Sequence, residues 1–192
     1  MLKFQRATAL VLGLFGFLAM TASPRAQMTA GSTPKVGEKA HDFSLASLNG
    51  PQVRLADEVR RGPVVLVVLR GWNGYQCPYC TRQFGEFVGK AAEFQARNAQ
   101  VLFVYPGPDA AGEKVKEFAA KTEMPPNFRM LIDPDFMFTN AYGLRWDAPK
   151  ETAYPSTFVL DKKGVVTFAA TSHAHGDRVP VATVLKALTE LE

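Results

Sequence analysis

Residues 64–69 read Val-Val-Leu-Val-Val-Leu, an unbroken apolar run made mostly of β-branched side chains. Such a run is too short for a buried helix and fits a strand covered on both faces, as in a parallel sheet flanked by helices. A second run, Val-Leu-Phe-Val-Tyr at 101–105, stops at Pro106-Gly107. Between them, Phe84, Phe87, Val88, Ala91, Ala92 and Phe94 fall at helical spacing, which predicts one helix from Pro78 to about Arg97. Two buried strands joined by a helix make a parallel crossover.

The flanking segments extend this frame. Residues 41–47 alternate, Asn49-Gly50 signals a turn, and Gln52 to Leu55 read as the returning strand of a hairpin. A helix is expected over about 112–121 and a short strand over 129–132. Asp133 or Asp135 can then cap a short helix that ends at Gly143. Residues 156–160 and 165–169, joined by Asp161-Lys162-Lys163-Gly164, read as a second hairpin, and a last helix runs from about Pro180 to Leu191. The pattern predicts an α/β domain with a central mixed sheet, helices on both faces and an N-terminal hairpin extension.

The 192-residue chain, 47% hydrophobic, can bury one ordinary core. Its net charge of +4 comes partly from Lys3, Arg6 and Arg25, and no run of five basic residues follows, which argues against a nucleic-acid groove. Residues 1–27 read as a secretory signal: Lys3 and Arg6, then the apolar stretch 7–20, then small residues Ala22, Ser23 and Ala26. That stretch is short for a membrane span, so stable membrane insertion after cleavage is not expected. Residues 28–35 read as a flexible linker and 36–192 as the folded domain. The expected location is exported, periplasmic or otherwise extracytoplasmic.

Only two cysteines occur, in Cys77-Pro78-Tyr79-Cys80. A bridge between such close neighbours closes too small a loop to staple a fold, whereas it suits a reversible disulfide in an oxidising compartment. At a helix start, positions i and i+3 share a face, and Pro78 fits the first helical position without losing a hydrogen bond. The helix N-terminus favours a thiolate on Cys77, which makes Cys77 the expected exposed nucleophile and Cys80 the resolving thiol. Two structural cysteines, or half of a metal site, are the alternatives. His173 and His175 read as loop histidines, or as donors that with the thiols could take a soft metal such as copper. Arg70, after the first buried strand, can lower the thiol pKa values or simply be solvated. Trp72, Tyr75 and Tyr79 surround the pair in sequence. Tyr154-Pro155 opens the strand beginning at Ser156, where a proline marks either an edge or a substrate-facing turn.

Residues 36–48, from Val36-Gly37-Glu38 through Asp42-Phe43-Ser44-Leu45 to Leu48, then Gln52 to Leu55, the 64–71 run, Cys-Pro-Tyr-Cys and Tyr154-Pro155-Ser156-Thr157-Phe158-Val159-Leu160-Asp161 followed by Gly164 together resemble the alkyl hydroperoxide reductase/thiol-specific antioxidant family. The resemblance covers most of the chain from residue 36. It implies a thioredoxin-like fold and a thiol-dependent oxidoreductase of peroxiredoxin-like, antioxidant type. It also implies a cis bond at Pro155, with Tyr154, Pro155 and Arg70 supporting substrate binding. A catalytic Cys77–Cys80 pair would draw on an external thiol donor protein and reduce a peroxide or a protein disulfide, with no cofactor and no metal. The peroxiredoxin pattern Pro-x-x-x-Thr-x-x-Cys is not met: counting back from Cys80 places Asn73 and Cys77 at the Pro and Thr positions, and counting back from Cys77 places Arg70 and Gly74 there. In the first register Cys80 is the peroxide-reactive cysteine and Cys77 its partner. Alternatives are a thioredoxin-like reductase or oxidase of exported proteins without peroxidase activity, and a copper carrier of the same fold.

Overall fold

A computed structural model describes residues 31–72, 74–108 and 112–191; the expected signal segment 1–27 lies outside them. Strand β3 (Val64–Val68) is buried at every position. It lies in a seven-stranded sheet with β1 (Ser44–Ser47), β2 (Val53–Arg54), β4 (Gln100–Pro106), β5 (Phe128–Asp133), β6 (Ser156–Leu160) and β7 (Val166–Thr171), in the order β2-β1-β5-β4-β3-β6-β7. β3, β4 and β5 are parallel neighbours; β6 joins β3 antiparallel, in the register Val68↔Ser156 to Val64↔Leu160.

Alternation along β3 explains its uniform apolarity. Val65, Val67 and Leu69 face a core shared with α2 (Pro78–Val88), α3 (Ala91–Ala96), α4 (Glu113–Ala119) and α6 (Val181–Thr189). Val64, Leu66 and Val68 face the other core, with α1 (Leu55–Arg61) and α5 (Met137–Ala141). Helices therefore cover both faces, and neither face of β3 can carry a polar residue without loss. The first core is built around aromatic rings: Phe87 stacks on Phe94 at 5.4 Å, and Phe84 and Phe87 meet Phe103 edge-on at 5.1 and 5.6 Å. The sheet and its flanking layers are those of an α/β thioredoxin-like fold.

Two local expectations change, one is met by both of its candidates, and the segment before the domain makes contacts of its own. The helix predicted from 78 to 97 is two helices, because Gly89 closes α2 through its N–H to the Gly85 carbonyl and Lys90 leaves helical geometry. Helix α1, mostly polar in sequence, was not anticipated; it forms because Leu55 and Val59 reach the core from one face. Both candidate caps act on α5: Asp135 accepts from the Met137 N–H, and Asp133 from those of Phe138 and Thr139. The described part of the expected linker is docked: Gly31 donates to the Asn140 carbonyl at 3.0 Å, and His41 bonds the Ser32 carbonyl.

Candidate active site

β3 delivers the chain to the site through Leu69, Arg70 and Gly71. Gly71 has φ +64°, and a Cβ there would collide with the Pro106 carbonyl, so the turn requires glycine. The chain then enters α2 with Cys77 as N-cap and Pro78 as first helical residue. The Cys77 carbonyl accepts from Cys80 N–H at 3.1 Å and Thr81 N–H at 3.2 Å, which winds the first turn and brings the sulfurs to one face. Both cysteines are free thiols.

The expectation of an exposed Cys77 is corrected. Cys77 is 1% exposed and Cys80 fully buried. The segment from Ser172 to Pro180 closes over them: Gly176 lies against the Tyr79 ring, where a Cβ would approach to 3.2 Å, and Arg178 extends Nη2 to 3.9 Å from Cys77 Sγ and 3.8 Å from Cys80 Sγ.

The two thiols are electrostatically unequal. The hydrogen bond from Cys80, opposed by burial and helped by Arg70 and Arg178, brings the Cys77 pKa down to about 5. The same hydrogen bond and complete burial push Cys80 well above its ordinary value. At neutral pH the site holds one thiolate, at Cys77, and one thiol. Its position at the start of α2 adds the favourable end of the helix dipole.

Arg70 is buried rather than solvated, at 1% exposure. Its backbone N–H donates to Cys80 Sγ at 3.4 Å; its guanidinium donates to Glu151 at 2.6 Å, Tyr75 Oη at 3.0 Å and the Lys150 carbonyl at 3.2 Å. Burial opposes its charge, but these bonds outweigh burial and raise its pKa. Glu151, which burial would push up, is held below its usual range by Arg70 and then by His175 at 2.8 Å. Thr152 Oγ1 donates to the Arg70 carbonyl and ties this loop to the strand end.

The cis expectation at Pro155 is overturned: among the described residues no peptide bond is cis. The Pro155 carbonyl accepts from Ser172 N–H at 2.8 Å, so the chain is already extended and paired with the β7 end as it enters β6. Pro155 lines a cavity of about 280 Å³ together with Gln83, Ser156, Asp177 and Arg178, and neither cysteine borders that cavity. Tyr154 stacks on Trp146 at 4.8 Å and meets the His173 ring at 4.5 Å. The two histidines are therefore taken up by Glu151 and by aromatic rings. Among the described residues no group of three His, Cys, Asp or Glu side chains gathers as a metal site, so the copper arrangement is not formed.

Sequence reasoning missed Arg178 and Glu151. Neither carries a local pattern; one lies 101 residues and the other 81 residues from the group it serves.

Paired thiols at the head of a helix, packed against the end of a central strand of this sheet, place the protein among the thioredoxin-fold thiol proteins. The AhpC/TSA family model matches residues 36–169. A bcp protein of Helicobacter pylori strain J99, assigned to the peroxiredoxins, is 30% identical over 137 residues, covering 69% of this chain and 84% of that protein. Thiol-disulfide oxidoreductase ResA of Geobacillus thermodenitrificans is 30% identical over 131 residues, covering 68% of this chain and 66% of that protein. Among solved structures, peroxidoxin BcpB of Mycobacterium tuberculosis superposes with a TM-score of 0.66 at 22% identity, over 83% of this chain and 99% of that one. The chain belongs to the AhpC/TSA family and is a thiol-dependent oxidoreductase of peroxiredoxin-like type.

Proposed function

We propose that this protein cycles Cys77 and Cys80 between dithiol and disulfide outside the cytoplasm, with a hydroperoxide as its first oxidant. The observation that carries this reading is the unequal pair: a thiolate at Cys77 beside a protonated Cys80, both under Arg178. The Cys77 thiolate attacks the terminal oxygen of ROOH; the O–O bond breaks, RO⁻ takes a proton and leaves as ROH, and Cys77 becomes a sulfenic acid. The Cys80 sulfur then bonds to Cys77, its proton and the sulfenic hydroxyl leave as water, and the disulfide forms. An external thiol donor protein returns two electrons and two protons by thiol–disulfide exchange.

Burial of both sulfurs favours a small oxidant, because a folded protein's disulfide reaches Cys77 only after the 172–180 segment moves. The likeness to a thiol-disulfide oxidoreductase favours, as second reading, a reductase or oxidase of exported proteins without peroxidase activity. Stopped-flow oxidation separates the two. Rapid loss of both thiols with hydrogen peroxide, abolished by Cys77→Ser, supports the first. Slow loss with peroxide but fast exchange with a protein disulfide supports the second, and oxidation unaffected by Cys77→Ser defeats both. Export rests on residues 1–27, with Lys3 and Arg6 before an apolar stretch. N-terminal sequencing of protein recovered from the extracytoplasmic fraction tests it; an intact Met1 in the cytoplasmic fraction refutes it.

A further inference from the structure

Glu151 joins two parts of the molecule. Its Oε2 accepts from Arg70 Nε at 2.6 Å, at the buried end of β3, and its Oε1 accepts from His175 Nε2 at 2.8 Å, on the segment that covers the thiols. An ionised carboxylate only accepts, so the imidazole is the donor. The Glu151 side chain is 9% exposed and held below its usual range, whereas that of His175 is 46% exposed. The carboxylate therefore keeps its charge between pH 5 and 8, where histidine is the side chain that ordinarily changes charge. The segment itself is anchored at its two ends. Ser172 donates its N–H to the Pro155 carbonyl, and Val179 packs on the first core. Between these anchors, His173 to Asp177 are all exposed. Arg178, Val179 and Pro180 border the 280 Å³ cavity toward β6 and β7 and another of about 230 Å³ toward α2. Empty space supplies no dispersion contact, so point contacts hold the stretch down. These are His175 on Glu151, Gly176 on the Tyr79 ring, and Arg178 at 3.8 and 3.9 Å from the sulfurs.

We propose that His175 is a positioning residue for Cys77: its ion pair with Glu151 latches the 173–178 stretch shut over the thiols, and loss of the imidazole's proton loosens the latch and opens Cys77 to reagents. The protonated ring makes an ion pair and a hydrogen bond; the neutral ring keeps the hydrogen bond alone. The cover is therefore tightest in acid and loosest toward pH 8. The Trp146 ring lies 5.2 Å from His175, and Arg145 and Asp147, on either side of Trp146 in the chain, stand 3.8 Å from each other. Behind Glu151 stand Arg70 and Tyr75, and Lys150 precedes it. On the segment, His173 turns to the Tyr154 ring at 4.5 Å, and Asp177 and Arg178 follow; Tyr79 of α2 lies against Gly176. His173 is the other imidazole here, and no carboxylate among the described residues pairs with it. The latch governs access to Cys77, so it rests on Cys77 as the reacting thiol and not on which oxidant that thiol meets.

The test is the rate constant for Cys77 alkylation by iodoacetamide in the reduced full chain from pH 6 to pH 8, read site by site by mass spectrometry. With its pKa brought down to about 5, Cys77 is mostly thiolate throughout that range, so the rate reports access rather than ionisation. A partly exposed ion pair is worth about a two- to fivefold shift in an opening equilibrium. The unsubstituted protein is expected to react about two- to fivefold faster at pH 8 than at pH 6. His175→Gln keeps a hydrogen-bond donor but never carries a charge; it is expected to react at the faster rate across the whole range. His173→Gln is expected to keep the rise. A merely structural role for His175 would change the rate alike at every pH. A flat rate in the unsubstituted protein overturns the latch, however the variants fold. So does a full rise retained in His175→Gln, or a rise lost in His173→Gln. None of these measurements uses a peroxide, so failure of the peroxide reading leaves the latch to be decided by alkylation.

Discussion

Replacing Glu151 by Gln removes one charge while keeping shape. Arg70 is 1% exposed and the Glu151 side chain 9% exposed, with Nε and Oε2 2.6 Å apart. Tyr75 and the Lys150 carbonyl still accept from Arg70 in the variant, so the loss is chiefly the uncompensated buried charge. Breaking a buried pair by removing one partner costs about 3–5 kcal/mol, against about 0–1 for an exposed one. For a domain of this size each kcal/mol lowers Tm by about 2–4 °C, so Glu151→Gln is expected to lose about 6–20 °C. Glu151 is held below its ordinary value of 4.5, so its contribution is full above that value and is lost as pH falls through the lower folded-state value. Urea unfolding at neutral pH and at a pH below the usual carboxylate range measures both. The wild-type advantage should shrink at the acid end. Arg70→Met combined with Glu151→Leu should lose less than Glu151→Gln alone, because no unpaired charge remains. A neutral-pH loss below about 1 kcal/mol would refute the reasoning, since it would mean that the pair is solvated.

The thiol asymmetry predicts that Cys77 alkylates with a midpoint near pH 5 while Cys80 stays unreactive at neutral pH; equal labelling in a timed alkylation series contradicts it. Because Cys77 falls from 9.0 unfolded to about 5 folded, the reduced protein should gain stability as pH rises between those values, and Cys77→Ser should flatten that slope in urea titrations. Phe87→Ala, which deletes a fully buried ring stacked on Phe94, should cost about 3–5 kcal/mol by chemical denaturation. Gly71→Ala meets both a left-handed φ and the Pro106 carbonyl; it should lower Tm and slow Cys77 alkylation, whereas Gly85→Ala, in helical geometry within α2 and with open space at its Cβ, should do less.

Much of this protein is written locally. Runs such as 64–69 and 101–105 are apolar because each strand is covered on both faces, so burial leaves its mark on consecutive residues. The Cys-Pro-Tyr-Cys turn is equally local: Pro78 sets the helix start, and the three-residue spacing sets the shared face. Elements whose signal is split between weak local preference and distant packing were less legible, as with α1, held by Leu55 and Val59, and the break after Val88, set by Gly89. The burial of Cys77 was not in the sequence pattern either, since it follows from closure by residues 172–180.

The sequence alone determined the strands, the placement of two thiols at one helix head, and the family. Tertiary structure decided which distant charges complete their electrostatics. Arg178 and Glu151 arrive from loops far along the chain, and a charge acts through space, falling off with distance rather than with sequence separation. No local pattern of residues can record which distant cation settles on a sulfur atom; only the closing of the sheet and its loops brings them together.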